Sequence, residues 1–209
     1  MIKRIGIFSG SFDPVHKGHI AFALEAAKTA KLDKVYFAPE IKPRRKPHVT
    51  HIAHRLAMLQ LAVRSQPKLG VLELPDKYFL PKNTMARLRT KFPDDTLVLL
   101  LGSDLFGHLA EHSEQWPHVE YLLSEVELAV SVRTTETDQQ IQDHRVGLPV
   151  QPKGFHIVHN HHPIVSSASI RQAVMTQQSV EGLLPSVAAY IRKHWLYHDV
   201  ATANKKTLR

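Results

Sequence analysis

Short apolar runs of strand length alternate along this chain with segments whose apolar residues recur at helical spacing. Thr96 to Leu101 is the strongest buried-strand run, and Gly102 ends it. Residues 2–8 form a first run, closed by Ser9-Gly10. Ile20, Ala23, Leu24 and Ala27 then recur at i, i+3, i+4 and i+7, which is one face of a helix. Val35–Ala38 predicts a second strand, stopped by Pro39, and residues 40–49 a basic, proline-containing loop. Thr50 is placed to cap a helix carrying Ile52, Leu56, Leu59 and Val63. Val71–Leu74, Glu127–Val132 and Phe155–Val158 predict further strands; residues 83–91, a segment from about Leu105, Ser169–Gln177 and Pro185–His194 predict helices. Arg133–Gly154 is polar and reads as an irregular loop. Strands separated by helical segments imply βαβ units and a parallel sheet. The expected fold is therefore α/β: a Rossmann-like doubly wound parallel sheet, helices on both faces, and a small C-terminal helical part. One domain is expected over residues 1–200, followed by a basic tail, 201–209.

Composition narrows the function classes. The chain lacks cysteine, which excludes a disulfide framework, a cysteine nucleophile and thiolate metal sites. No apolar run reaches the roughly 18–20 residues of a membrane span, and the N-terminus has no signal-peptide pattern, so a cytoplasmic protein is expected. Lysine and arginine total 27 against 19 acidic residues, a net charge of +8, with 15 histidines besides. Such a balance points to an anionic partner. The basic residues are scattered, without an aromatic-rich stripe or a helix-turn-helix pattern, which argues against nucleic acid.

Gly10-Ser11-Phe12-Asp13-Pro14-Val15-His16-Lys17-Gly18-His19 joins the first strand to the first helix. Ligands of parallel α/β sheets bind at the carboxyl ends of strands, and a helix N-terminus there offers N–H groups to a phosphate. Gly10 lets backbone approach a phosphate, and Gly18 permits close packing. His16 and His19 lie one helical turn apart and, with Lys17, can surround a transferring phosphate. Two neutral histidines at this spacing can also ligate zinc, although no Glu follows in a His-Glu-x-x-His arrangement. Far downstream, Ser166, Ser167 and Ser169 suit a helix N-cap, with Arg171 in the first turn. His156, His159, His161 and His162 lie just before that segment, as a metal site or as a solvent-facing or nucleotide-adjacent cluster.

The first segment resembles the Gly-(Thr/Ser)-Phe-Asp-Pro-x-His-x-Gly-His signature of the nucleotidyltransferase superfamily. Its His-x-Gly-His part is shared with class I aminoacyl-tRNA synthetases, but the Lys-Met-Ser-Lys-Ser signature of those enzymes is missing here. Ser166-Ser167-Ala168-Ser169-Ile170-Arg171 matches the second superfamily signature, Ser-Ser-x-x-Ile-Arg. Arg55–Leu59, Asn83-Thr84, Gly102-Ser103-Asp104, Trp116, Leu122-Leu123 and the ending from Leu183 to Tyr197 resemble the nicotinate-nucleotide adenylyltransferases. That resemblance implies transfer of AMP from ATP to nicotinate mononucleotide, giving deamido-NAD and pyrophosphate. It also implies His16, His19 and Arg171 as the catalytic set. Ser9, Gly10, Ser11, Phe12, Gly18, Gly102, Asp104 and Ser167 would contact ATP; Lys46, Thr84 and Trp116 would contact the acceptor. Mg²⁺ would accompany the triphosphate, with no protein metal site. The partners implied are small molecules, ATP and a pyridine mononucleotide, with no nucleic acid or membrane; a homo-oligomer is compatible with this. Two departures bear on the acceptor. The family's Pro-Pro-His-Lys is Pro43-Arg44-Arg45-Lys46 here, where the arginines suit a phosphate or a solvated loop. Pro117, without an N–H, stands where an aromatic residue is usual after Trp116. Adenylyl or cytidylyl transfer to another phosphate acceptor, such as nicotinamide mononucleotide, is the alternative.

Overall fold

A computed structural model of the chain describes residues 1–44, 46, 48–132, 137–159 and 165–198. Six strands, β1 (Arg4–Gly10), β2 (Lys34–Pro39), β3 (Leu69–Val71), β4 (Thr96–Gly102), β5 (Glu127–Val132) and β6 (Gly154–His159), form one sheet. Their order is β3-β2-β1-β4-β5-β6 and every pairing is parallel. The chain runs outward from β1 to β3, then returns past β1 to lay down β4. The sheet is thus doubly wound and Rossmann-like, with its topological switch point between β1 and β4.

Alternation along the strands divides the apolar residues between two cores. Phe8 of β1 and Val98 and Leu100 of β4 face one, with Phe12, Phe22, Phe37 and Met58. Ile5, Ile7, Leu97 and Leu99 face the other, with Met85, Leu88, Phe106 and Leu123. Helices α1 (Lys17–Thr29), α2 (Ile52–Val63), α7 (Ser167–Met175) and α8 (Pro185–Lys193) cover the first face. Helices α3 (Pro81–Lys91), α4 (Ser103–Glu111), α5 (Val119–Glu125) and α6 (Asp138–Val146) cover the second. Among the described residues, no helix is long and apolar enough to cross a membrane.

Three local expectations need correction. The stretch expected as a loop between Arg133 and Gly154 contains α6, started by a reciprocal capping box between Thr137 and Gln140. Only Ile141 of that helix is buried, so there is no apolar period to read. The edge strand β3 lies at Leu69–Val71 rather than Val71–Leu74, where it pairs with Val35–Phe37. Helix α2 is capped by His51, whose side chain accepts from Ala53 N–H, and not by Thr50.

Thr50 is used differently. Its N–H donates to Asp13 Oδ2 at 3.0 Å, and its carbonyl accepts from Arg55 Nε at 2.7 Å. Arg55 has no exposed surface, and its other nitrogens donate to the carbonyls of Ser11 and Ile41 at 2.8 and 2.9 Å. The Asp13 carboxylate, 4% exposed, takes a second hydrogen bond from Tyr197 O–H at 2.6 Å. Burial pushes the Tyr197 phenol well above its usual range, and the Asp13 charge adds to this, so the proton stays on the phenol. This junction ties the loop after β1 to the loop before α2 and to the residues after α8.

Removing one partner leaves a buried charge or carbonyls unsatisfied. Arg55→Leu is expected to lower unfolding free energy by about 3–5 kcal/mol, and Tyr197→Phe by about 1.5–3 kcal/mol. Urea unfolding measures both; a loss below about 1 kcal/mol for Arg55→Leu contradicts the junction.

Candidate active site

The loop from Ser11 to His16 leaves β1 beside the switch point and ends at the N-terminus of α1. His16 is the N-cap residue, with extended backbone (φ −142°, ψ 171°). The two histidines therefore meet by a route other than the shared helical face expected from their spacing. His16 N–H donates to His19 Nδ1 at 3.2 Å, and the rings stack with centroids 3.6 Å apart. A Cβ at residue 18 would lie 3.1 Å from His16 Nδ1, so Gly18 makes room for the His16 ring. A Cβ at Gly10 would press on the Phe12 ring at 3.1 Å.

The capping bond sets the tautomer of His19. An Nδ1 that accepts is unprotonated, so the ring proton of the neutral form is on Nε2, which can donate to a ligand. The His19 ring also packs on the edges of Phe8 and Phe12, at 5.9 and 5.2 Å. Burial, then the neighbouring His16, then Lys46 hold its pKa well below the ordinary 6.5. Burial lowers His16 to about 4. Both rings are neutral donors or acceptors near neutral pH, not resident positive charges.

The second segment folds onto the first. Ser166 caps α7 through a reciprocal box with Ser169. Ser167 Oγ then donates to the carbonyl of Pro14 at 2.9 Å, and Arg171 donates through one terminal nitrogen to the carbonyl of Asp13 at 2.7 Å. Lys17 N–H, the first of α1, donates to the carbonyl of Gly182 at 2.8 Å. The amide-bearing ends of α1 and α7 therefore converge on one loop, a pair of positive dipole ends beside a guanidinium.

A cleft of about 450 Å³ opens at the carboxyl ends of β1 and β4. Ser9, Gly10, Ser11 and Lys46 line one part; Lys46 Nζ donates to Ser11 Oγ at 3.0 Å. Asp104, exposed in the first turn of α4, lines another part beside Leu105 and His108. A Cβ on Gly102, the α4 N-cap, would meet nothing within 4 Å, so the backbone there is open to a ligand. Trp116 lines the cleft while its ring packs partly against the second core, so it is both wall and core.

Some expected residues sit elsewhere. The Phe12 side chain is buried, which leaves only its backbone for a ligand. Thr84 is 1% exposed and does not line the cleft; its hydroxyl accepts from Leu80 N–H at 2.9 Å and faces Asp76. Lys17 is exposed and is not part of the cleft wall. His156 and His159 take separate partners, Glu127 at 2.7 Å and Asp138 at 3.4 Å, so they form no joint site. His161, His162, Arg45 and the tail 201–209 lie outside the described residues. Among the described residues, no group of three His, Cys, Asp or Glu side chains is placed to hold a metal ion.

Residues that the sequence did not single out as functional also shape the site. Glu40 lines the cleft and accepts from Phe79 N–H at 3.0 Å and Ser9 Oγ at 3.5 Å. Asp13, Arg55 and Tyr197 hold the loop from behind. Each stands within a segment that carries the family resemblance, but a charged residue looks surface-exposed until its buried partners are known.

The sequence profile of the cytidylyltransferase-like family matches residues 7–173. A Bordetella petrii protein described as a probable nicotinate-nucleotide adenylyltransferase is 33% identical over 94% of this chain and all of its own length. The nicotinate-nucleotide adenylyltransferase of Bacillus subtilis is 29% identical over 95% of this chain and all of its own. The solved structure of Plasmodium falciparum nicotinic acid mononucleotide adenylyltransferase complexed with NaAD has TM-score 0.74. It covers 93% of this chain and 97% of that one at 19% identity, a likeness of fold. By sequence over nearly its full length, this chain belongs to the cytidylyltransferase-like family and, within it, to the nicotinate-nucleotide adenylyltransferases.

Proposed function

We propose that this chain transfers AMP from ATP to the phosphate of nicotinate mononucleotide, forming deamido-NAD and pyrophosphate in NAD biosynthesis. The observation that carries this reading is the convergence of two distant signature segments. Ser167 and Arg171 reach residues 14 and 13 of the first loop, over the switch point and next to a cleft walled by Trp116. A triphosphate lies against the amides of the β1–α1 loop and the α7 start. The acceptor's ring enters the apolar part of the cleft.

An oxygen of the acceptor phosphate attacks the α-phosphorus of ATP as the bond to pyrophosphate breaks. The nucleophile is already an anion, so no general base is needed. The protein aligns two anions and stabilises the charge that develops between them. Lys46 and Arg171 supply charge, and His19 donates through Nε2. His16 holds that proton in place through its backbone N–H. Mg²⁺ would come with ATP as part of the substrate and would neutralise charge on the triphosphate. Dissolved nucleotides as partners fit activity in the cytoplasm.

Nicotinamide mononucleotide is the alternative acceptor, because Pro117 offers no N–H beside Trp116. Pyrophosphate release from ATP with a panel of phosphate acceptors separates the two. The nicotinate form is expected to be preferred; turnover with another acceptor and none with nicotinate mononucleotide rejects the proposal. His19→Ala and Arg171→Ala are each expected to lower turnover at least about a hundredfold, the scale of one lost transition-state donor. Near-normal rates in folded variants would show that these residues lie outside the reacting centre.

The histidines make a pH prediction. Between pH 6.5 and about 4 the unfolded chain protonates His16, while the folded chain does not. The unfolded state then binds more protons, so His16 makes the fold less stable as pH falls through that window. In nitrogen-15 NMR, His16 is expected to titrate near pH 4 and His19 to show the Nε2–H tautomer at neutral pH. An ordinary titration of either ring near 6.5 contradicts this.

A further inference from the structure

One cation of the cleft has no part in the reaction just described. Lys46 is hydrogen-bonded to Ser11, beside the phosphate loop, and Arg55 is occupied by backbone carbonyls. Arg44 lines the same cleft, is exposed, and among the described residues its guanidinium makes no hydrogen bond or ion pair. Its central carbon lies 4.2 Å from the centre of the Tyr78 ring. Cation–π contact restrains the guanidinium on the tyrosine while leaving N–H groups to meet a planar anion by two parallel hydrogen bonds.

Arg44 shares the cleft with Trp116, the wall expected against the acceptor ring. Tyr78 precedes Phe79, which is anchored on Glu40 and packs, like Trp116, against the second core. Phe79, Leu105 and Trp116 line the apolar part of the cleft, which suits a flat ring. A cation lining the same cleft suits an anionic substituent on that ring. The residue after Trp116 is Pro117, which adds no backbone donor.

We propose that Arg44, restrained by Tyr78, reads the carboxylate on the acceptor's pyridine ring and so selects the acid over the amide. This rests on the pyridine-mononucleotide reading above. Lysine at this position would keep the charge but lose the planar fork. The effect belongs to ground state and transition state alike, so it appears in KM more than in kcat.

The test is kcat/KM for nicotinate and nicotinamide mononucleotides in wild type, Arg44→Gln, Arg44→Lys and Tyr78→Leu, with circular dichroism as the folding control. Where the amide turns over too slowly, its inhibition constant against the acid replaces kcat/KM. Arg44→Gln is expected to lower the acid-to-amide ratio by about tenfold to a hundredfold, the scale of one charge-assisted hydrogen-bonded pair. Arg44→Lys and Tyr78→Leu are expected to fall between it and wild type. A ratio within about threefold of wild type in Arg44→Gln overturns the proposal, whether both acceptors weaken together or neither does; the expected loss is several times larger. A wild-type enzyme that accepts neither pyridine nucleotide overturns the functional reading and this assignment with it.

Discussion

The site depends on one buried polar junction, in which Asp13 and Arg55 grip the Thr50 peptide from opposite sides. Asp13 accepts from its N–H and Arg55 donates to its carbonyl. Neither charge reaches solvent to any extent, so each needs the partners it has. The same guanidinium holds Ser11 and Ile41, and the same carboxylate holds Tyr197. Burial pulls the Arg55 guanidinium below its usual range, while Asp13, Tyr197 and Glu40 oppose that shift. A guanidinium remains charged in such a balance. The consequence is geometric: the loop between β1 and α1, the loop that carries Arg44 and Lys46, and the C-terminal residues are set relative to one another before any ligand arrives.

That rigidity is what this reaction needs. Joining two phosphorylated substrates is opposed by their repulsion and by the entropy of bringing them together, and both terms respond to fixed, pre-oriented donors. The structure supplies donors of two kinds. Helix N-termini and neutral imidazole N–H groups are dipoles, and they offer hydrogen bonds without a permanent charge. Lys46 and Arg171 are charges, placed around the same loop. A site built wholly from cations would repel itself before ATP bound; the lowered pKa values of His16 and His19 avoid part of that cost.

The architecture was legible because each strand run is bounded by turn residues and each long helix has an apolar face. The core strands β1, β2, β4 and β5 fall where the sequence places them. Elements that pack by only a few residues were not legible: α6 has Ile141 alone as a buried anchor, and β3 is a three-residue edge. The meeting of the two signature segments was legible, since Gly10–His19 and Ser166–Arg171 come together in space. The supporting shell was not. Apart from Thr50, the partners of Arg55 and Tyr197 are backbone atoms and one carboxylate 14 to 184 residues away, and no local spacing encodes them. Thr84 shows the converse. A matching residue type in a matching segment is turned inward, onto the N-terminal turn of α3.

The central claim is that this chain contributes alignment and charge, with the acceptor's own phosphate as nucleophile. The stereochemistry at the α-phosphorus tests it most directly. With ATP carrying a chiral thiophosphate at the α-position, a single in-line displacement inverts the configuration in the dinucleotide product. Inversion is the result this account predicts. Retention would require a covalent adenylyl-enzyme formed on a protein nucleophile, and would contradict it.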